Sequence, residues 1–135
     1  MDMEKAELAY KLNFLEQKIH QFQQQMRNIE EGISETELLK KGFDELKGSE
    51  GKEIFSPIGK GIFIKSKILS EELIVDIGGK NFVKKTISET KKILDEEIKR
   101  LKDIKDELES YLKKAYEEVQ EIIREVQREE NEYCK

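Results

Sequence analysis

At 135 residues, with charged residues at 41% and hydrophobic residues at 36%, the chain has room for one domain but too little apolar material for a thick globular core. The formal charge of −5 divides unevenly, with 10 acidic and 7 basic side chains in residues 1–48, 5 and 7 in 49–86, and 15 and 11 in 87–135, which argues against nucleic acid as the main partner. No apolar run approaches the ~20 residues of a membrane span, and the charged amino terminus lacks the apolar stretch of a signal peptide, so no membrane partner and a cytoplasmic location are expected.

Residues 1–48 predict a helical arm. Leu8, Leu12, Leu15, Ile19, Phe22, Met26, Ile29 and Ile33 recur in alternating steps of four and three, the 3.5-residue period of a coiled coil. The seam weakens at Thr36 and Lys40 and resumes with Phe43 and Leu46. Gly32, and Ser34 with Glu37, imitate a helix break, yet the apolar phase holds across them and favours a continuous helix.

Over residues 52–84 the period changes to two, as in half-buried strands. Ile58-Gly59-Lys60-Gly61-Ile62-Phe63-Ile64-Lys65 is followed, after 19 positions, by Ile77-Gly78-Gly79-Lys80-Asn81-Phe82-Val83-Lys84. Each reads as a strand end, a glycine-bearing turn and a second strand. One hairpin is expected to join Ile54–Ser56 with Ile62–Ile68 near Gly59, and another Leu73–Ile77 with Asn81–Lys84 through Gly78 and Gly79. Pro57 fits a strand end or edge, where no ladder hydrogen bond is asked of it.

The second arm, residues 86–133, starts with Thr86 followed three positions later by Glu89, a capping-box pattern. It repeats the seam with Leu94, Ile98, Leu101, Leu108, Leu112, Ala115, Val119, Ile122 and Val126. Lys105 takes one core position, where its stem packs, its ammonium reaches the edge, and alternative registers are disfavoured. Each arm of about 45 residues spans on the order of 65–70 Å at ~1.5 Å per residue. The arms should pair antiparallel, with Leu8 near Val126 and both termini at one tip. The fold class is therefore α+β: a long antiparallel two-helix coiled coil with two β-hairpins at its bend.

Isolated two-stranded hairpins are marginal in water, and each exposes two edges and an apolar face. Pairing with hairpins of other copies closes a sheet or barrel between subunits. The expected interface is Ile54, Phe55, Ile62, Phe63, Ile64 and Ile68 in the first hairpin, with Leu73, Ile74, Val75, Ile77, Phe82 and Val83 in the second.

Catalysis has little to work with. His20 follows a seam position and falls on the solvated face, and Cys134 reads as a solvated thiol near the last residue. None of Gly51-Lys52, Gly59-Lys60 and Gly79-Lys80 has a glycine five positions before it and a hydroxyl residue after it, so no phosphate loop is present. One Cys and one His cannot build a paired metal motif. The expectation is a non-enzyme with no cofactor, metal or catalytic residue. At the tip, Leu8, Ile122 and Val126 can simply finish the seam. Met1, Met3, Ile123 and Tyr133 lie beyond or beside it and are better placed to contact something else.

The order helix, two hairpins, helix resembles the α-type subunit of prefoldin over essentially the whole chain. The most specific residues are Phe55-Ser56-Pro57-Ile58-Gly59-Lys60-Gly61-Ile62-Phe63-Ile64-Lys65 and Val75-Asp76-Ile77-Gly78-Gly79-Lys80-Asn81-Phe82-Val83-Lys84-Lys85-Thr86. β-type prefoldin subunits carry one hairpin, so two place this chain on the α side. The resemblance implies a hexamer of two α-type and four β-type subunits on a double β-barrel platform. It further implies that unfolded client proteins are held at the coiled-coil tips without ATP and delivered to a group II chaperonin; the tip residues read above, Met1, Met3, Leu8, Ile122, Ile123, Val126 and Tyr133, are the expected client contacts. The alternative from a different class is a structural prefoldin-like protein that joins with itself into a homo-oligomer or filament.

Overall fold

The computed structural model describes residues 2–133, with the side chains of Asp2 and Tyr133 left out of the description. Helix α1 runs over Asp2–Leu46 and α2 over Ile87–Tyr133. Between them in the chain come β1 (Glu53–Gly59), β2 (Ile62–Lys67), β3 (Leu73–Asp76) and β4 (Phe82–Lys85). Helix α1 is unbroken through Gly32 and Ser34. A Cβ at Gly32 would make ordinary contact, 3.5 Å, with Leu101 Cδ1, so the glycine lies against α2.

The chain divides into two compact units, one of residues 1–32 with 101–135 and one of residues 33–100. In the first, Leu15, Leu108 and Ala115 are buried, and Leu8, Leu12, Ile19, Phe22, Met26 and Ile29 of α1 are half-buried. So are Leu101, Leu112, Val119, Ile122 and Val126 of α2. This is the expected seam. The pairing is antiparallel: Phe22 stacks on Tyr111 with ring centroids 5.9 Å apart, and Lys105 Nζ lies 3.6 Å from Glu30 Oε1. Lys105 is half-buried, stem in the seam and ammonium at a carboxylate on its rim, as its core position implied.

In the second unit Ile98 is buried and Leu94 half-buried on α2, and Phe43 and Leu46 are half-buried on α1. Lys40 Nζ reaches Asp95 Oδ1 at 2.5 Å, and Lys91 Nζ donates to Asp44 Oδ1. These pairs bridge the helices where Thr36 and Lys40 interrupt the apolar rhythm. The Lys91 hydrogen bond, with the charge of Lys91 behind it, holds the Asp44 carboxyl below the usual carboxylate range.

The helix ends follow local chemistry. Gly48, at φ 75°, takes the left-handed conformation just past α1, so the helix stops at Leu46 instead of reaching residue 48. Buried Ser49 donates from both its backbone N–H and its hydroxyl to the Leu46 carbonyl. At the start of α2, Thr86 Oγ1 accepts from the Glu89 N–H at 3.1 Å and is the N-cap, which sets the first helical residue at Ile87. Thr86→Ala is expected to lower stability by about 1 kcal/mol, read as an earlier denaturant midpoint at unchanged slope.

Candidate protein-interaction surfaces

Strands β1 and β2 pair antiparallel, Phe55 opposite Lys65, Ser56 opposite Ile64 and Pro57 opposite Phe63. The register then slips between Pro57 and Gly59, so that Gly59 faces Ile62. The first hairpin is longer than the sequence suggests, since β1 starts at Glu53 and passes through Pro57 to Gly59. In a two-stranded sheet every strand is an edge, so a proline that cannot donate is accommodated within it. Strand β2 ends at Lys67, but the Ile68 N–H donates to the Lys52 carbonyl at 3.0 Å, extending the pairing to the expected residue.

The second hairpin sets Val75 opposite Val83 and Asp76 opposite Phe82. Ile77 and Asn81 fall just outside the strands, joined by an Ile77 N–H donating to the Asn81 carbonyl at 2.9 Å. Both turns have the same backbone. Lys60 and Gly61 have φ of 50° and 77°, and Gly79 and Lys80 have 60° and 62°, as a two-residue type I′ hairpin turn requires. Gly59 (φ 143°) and Gly78 (φ 128°) stand before them in a conformation open to glycine. Asp76 Oδ1 accepts from the Gly78 N–H at 2.9 Å. The 19-residue repeat is thus a repeat of geometry.

Directly opposed residues share a face, so β1 and β2 carry Phe55, Pro57 and Phe63 on one side and Ile54 and Ile64 on the other. Both sides are open to solvent: Phe55 is 71% exposed, Phe63 59% and Ile64 54%, with Ile54 and Ile62 also exposed. The alternation suggested half-buried strands, but in the isolated chain only Ser56 and Ser66 within β1 and β2 are half-buried, with Ile68 just past β2. The second hairpin alternates cleanly. Leu73, Val75, Val83 and Lys85 are half-buried, whereas Ile74 and Phe82 face outward, with Ile77 exposed beside the turn. Of the twelve residues expected at an interface, Ile68, Leu73, Val75 and Val83 are half-buried and the other eight are exposed.

The segment joining the hairpins is tied to the end of α1, since the Gly48 N–H donates to Glu71 Oε1. Glu71, Glu72 and Lys47 line a recess with Thr86, Ile87 and Ser88, and Ile87 is buried beneath it. Sequence reasoning did not identify this joint, because its hydrogen bond links positions 23 residues apart with no periodic signal.

Where residues 5–12 of α1 meet residues 122–130 of α2, Leu8, Ala9, Leu12, Ile122 and Val126 line an apolar groove flanked by Lys5 and Glu130. Leu8 therefore lies by Val126, as antiparallel pairing required, and Leu8, Ile122 and Val126 finish the seam half-buried. Met3 is 84% exposed and Ile123 43%, both outside that seam. Met1 and the side chain of Tyr133 lie outside the described residues, as does Cys134. Tyr10, an aromatic group of the tip in the sequence reading too, is exposed, and Phe14 adds exposed aromatic surface that reading passed over, its ring carrying Lys18 Nζ 4.8 Å from the centroid. A repeat of large apolar residues off the seam register was the available signal.

His20 is exposed on α1. Among the described residues no three His, Cys, Asp or Glu side chains are gathered to hold a metal ion, and no helix is long and apolar enough to cross a membrane.

The family model for the prefoldin subunit matches residues 15–132. A prefoldin subunit alpha of Methanobrevibacter smithii is 31% identical over 103 residues, which are 76% of this chain and 70% of that protein. The prefoldin subunit alpha of Methanosphaera stadtmanae is 29% identical over 69% of this chain and 68% of its own length. Among solved structures, the cryo-EM structure of a filamentous PFD from Methanocaldococcus jannaschii superposes with a TM-score of 0.77 at 19% identity, over 86% of this chain and 98% of that one. That likeness establishes the same fold: two long helices and two antiparallel hairpins.

Proposed function

Because the chain belongs to the prefoldin family, on its α-type side, whose subunits form oligomeric complexes with one another, we propose that residues 1–135 act as one prefoldin-like domain in an ATP-independent co-chaperone. Two such chains join four β-type subunits through the hairpins, whose strands close into β-barrels between subunits. The paired helices then hold unfolded proteins at the ends bearing Met1, Met3, Leu8, Ile122, Ile123, Val126 and Tyr133. The assembly works in the cytoplasm and passes its clients to a group II chaperonin. No reaction is catalysed, in keeping with a family of chaperones.

The observation that carries this reading is the pair of hairpins, each a two-stranded sheet with both edges unpaired and large apolar side chains open to solvent. Such sheets need partners to be stable in water. For the client role, support comes from Met3, Ile123 and the adjoining apolar groove. Weak contacts at several tethered tips gain avidity of roughly 10² to 10⁴ over one contact, while each still exchanges fast enough for handover.

The native mass of the purified chain, alone and mixed with a β-type subunit, tests the assembly. A species of two α and four β copies is expected. A large homo-oligomer or filament indifferent to the β-type subunit would instead favour the structural alternative, which the same unpaired edges could serve. Removing residues 1–7 and 127–135 from the assembled complex is expected to abolish suppression of a denatured client's aggregation. Undiminished suppression would place client contacts elsewhere.

A further inference from the structure

Pro57, the chain's one proline, lies within β1 and not at its end. Its ring carries no N–H, so the direction in which that missing donor would point decides its effect. The Ile68 N–H donates to the Lys52 carbonyl at 3.0 Å, and one step along the register Glu53 stands opposite Lys67. Directly opposed residues of an antiparallel pair alternate between exchanging hydrogen bonds and turning their backbone groups outward. Ile54 with Ser66 and Ser56 with Ile64 are therefore the bonded pairs. Glu53, Phe55 and Pro57 turn their backbone toward the free edge of β1, and Phe63, Lys65 and Lys67 toward that of β2.

The two edges of this hairpin thus differ. Strand β2 offers three outward donors in succession, at Phe63, Lys65 and Lys67, all in exposed residues. Strand β1 offers two and then a gap at Pro57, and the register slip between Pro57 and Gly59 puts the extra residue, Ile58, on the same strand. Proline and a bulge are each devices that keep a strand edge from pairing. In the second hairpin the Ile77 N–H donates to the Asn81 carbonyl. By the same alternation Ile74 and Asp76 turn their backbone outward on β3, and Phe82 and Lys84 on β4, with every donor in place. Among the described strands β1 alone has an edge that lacks a donor. Lys65 and Lys67 discourage chance pairing at β2, but their side chains leave the backbone groups available.

Resting on the assembly described under the proposed function, we infer that the edge of β2 is where the first hairpin forms a continuous backbone ladder with a strand of the neighbouring prefoldin subunit, while the joint on the β1 side is broken at Pro57. The occupant is an extended strand, because outward N–H and C=O groups on every second residue are matched in full by another strand's backbone. Prefoldin subunits form complexes with one another, which makes a fellow subunit the source of that strand. Nothing is required of the partner's side chains. On the β1 side the strands meet more through side chains than through hydrogen bonds, so the first hairpin has one strong joint and one weak one.

Amide hydrogen exchange in the complex with a β-type prefoldin subunit tests this. The amides of Phe63, Lys65 and Lys67 point away from the hairpin, so they are expected to exchange rapidly in the chain alone and slowly in the complex, and more slowly there than those of Glu53 and Phe55. Lys65→Pro removes one outward donor without removing a bond inside the hairpin, and is expected to weaken assembly roughly 5- to 150-fold relative to Lys65→Thr. Lys65→Thr loses the same 2.9 Å ion pair with Glu53 yet keeps its N–H. Exchange at Phe63, Lys65 and Lys67 that complex formation leaves unchanged, or slows no more than at Glu53 and Phe55, overturns the inference while leaving the assembly intact. Equal affinities for Lys65→Pro and Lys65→Thr do the same. A wild-type chain that joins neither the β-type subunit nor itself overturns the assembly reading and this one with it.

Discussion

Phe63→Asp combined with Phe82→Asp is expected to leave the chain unable to assemble while its helices stay formed. The two phenylalanines hold equivalent places in the 19-residue repeat, at the start of the second strand of each hairpin, and are 59% and 63% exposed in the isolated chain. Aromatic anchors of an interface each carry about 2 kcal/mol or more. Losing both therefore weakens association by about 10³-fold or more. Two carboxylates left without partners in an apolar contact add to that loss. At position 82 the new carboxylate would also face Asp76 directly across the sheet, and like charges directly opposite destabilise a hairpin. Native mass should show no complex with a β-type subunit, while circular dichroism of the chain alone keeps its helical signal. A variant that assembles at wild-type strength would remove the hairpin faces from the interface.

The largest expected effect within the chain itself is at Leu108. This side chain is 7% exposed, against residues such as Leu112 and Val119 that stay half-buried in the same seam. Leu108→Ala removes packing that two helices with no third layer above them cannot replace. The expected loss is about 2–3 kcal/mol, at the lower end for buried leucine because a two-helix seam lets water reach part of the space left behind. Leu38→Ala is the matched control: Leu38 is 72% exposed on α1, and its change should stay within about 0.5 kcal/mol. Denaturant unfolding of the isolated chain reads both. Equal effects at the two positions would contradict the seam.

The seam was readable because its signal is periodic and local. Leu15, Ile98, Leu108 and Ala115 fall on the heptad positions and are buried, and Lys105 occupies its core place with its ammonium at Glu30. The turns were readable for a similar reason, since glycines at Gly59, Gly61, Gly78 and Gly79 mark, among the described residues, the stretches where successive residues need positive φ within strand-like sequence. Strand ends were less legible. Pro57 suggested an early stop for β1, and the two-stranded sheet, being all edge, carried the strand through to Gly59.

The amino-acid sequence by itself determined the two helical arms, the doubled hairpin and the uneven charge, because each arises from spacing along a few turns or a few strand residues. Only the tertiary structure decided the stacking of Phe22 on Tyr111, the 2.6 Å hydrogen bond from Gln23 Nε2 to Tyr116 Oη, the Asp44–Lys91 pair and the Gly48–Glu71 tie. Each of these joins residues from 23 to 93 positions apart, and which of them meet depends on the register the packed chain adopts. Strand alternation likewise cannot say which apolar face stays open. That depends on what the rest of the chain can reach, and around Phe55, Phe63 and Phe82 it reaches too little to cover them.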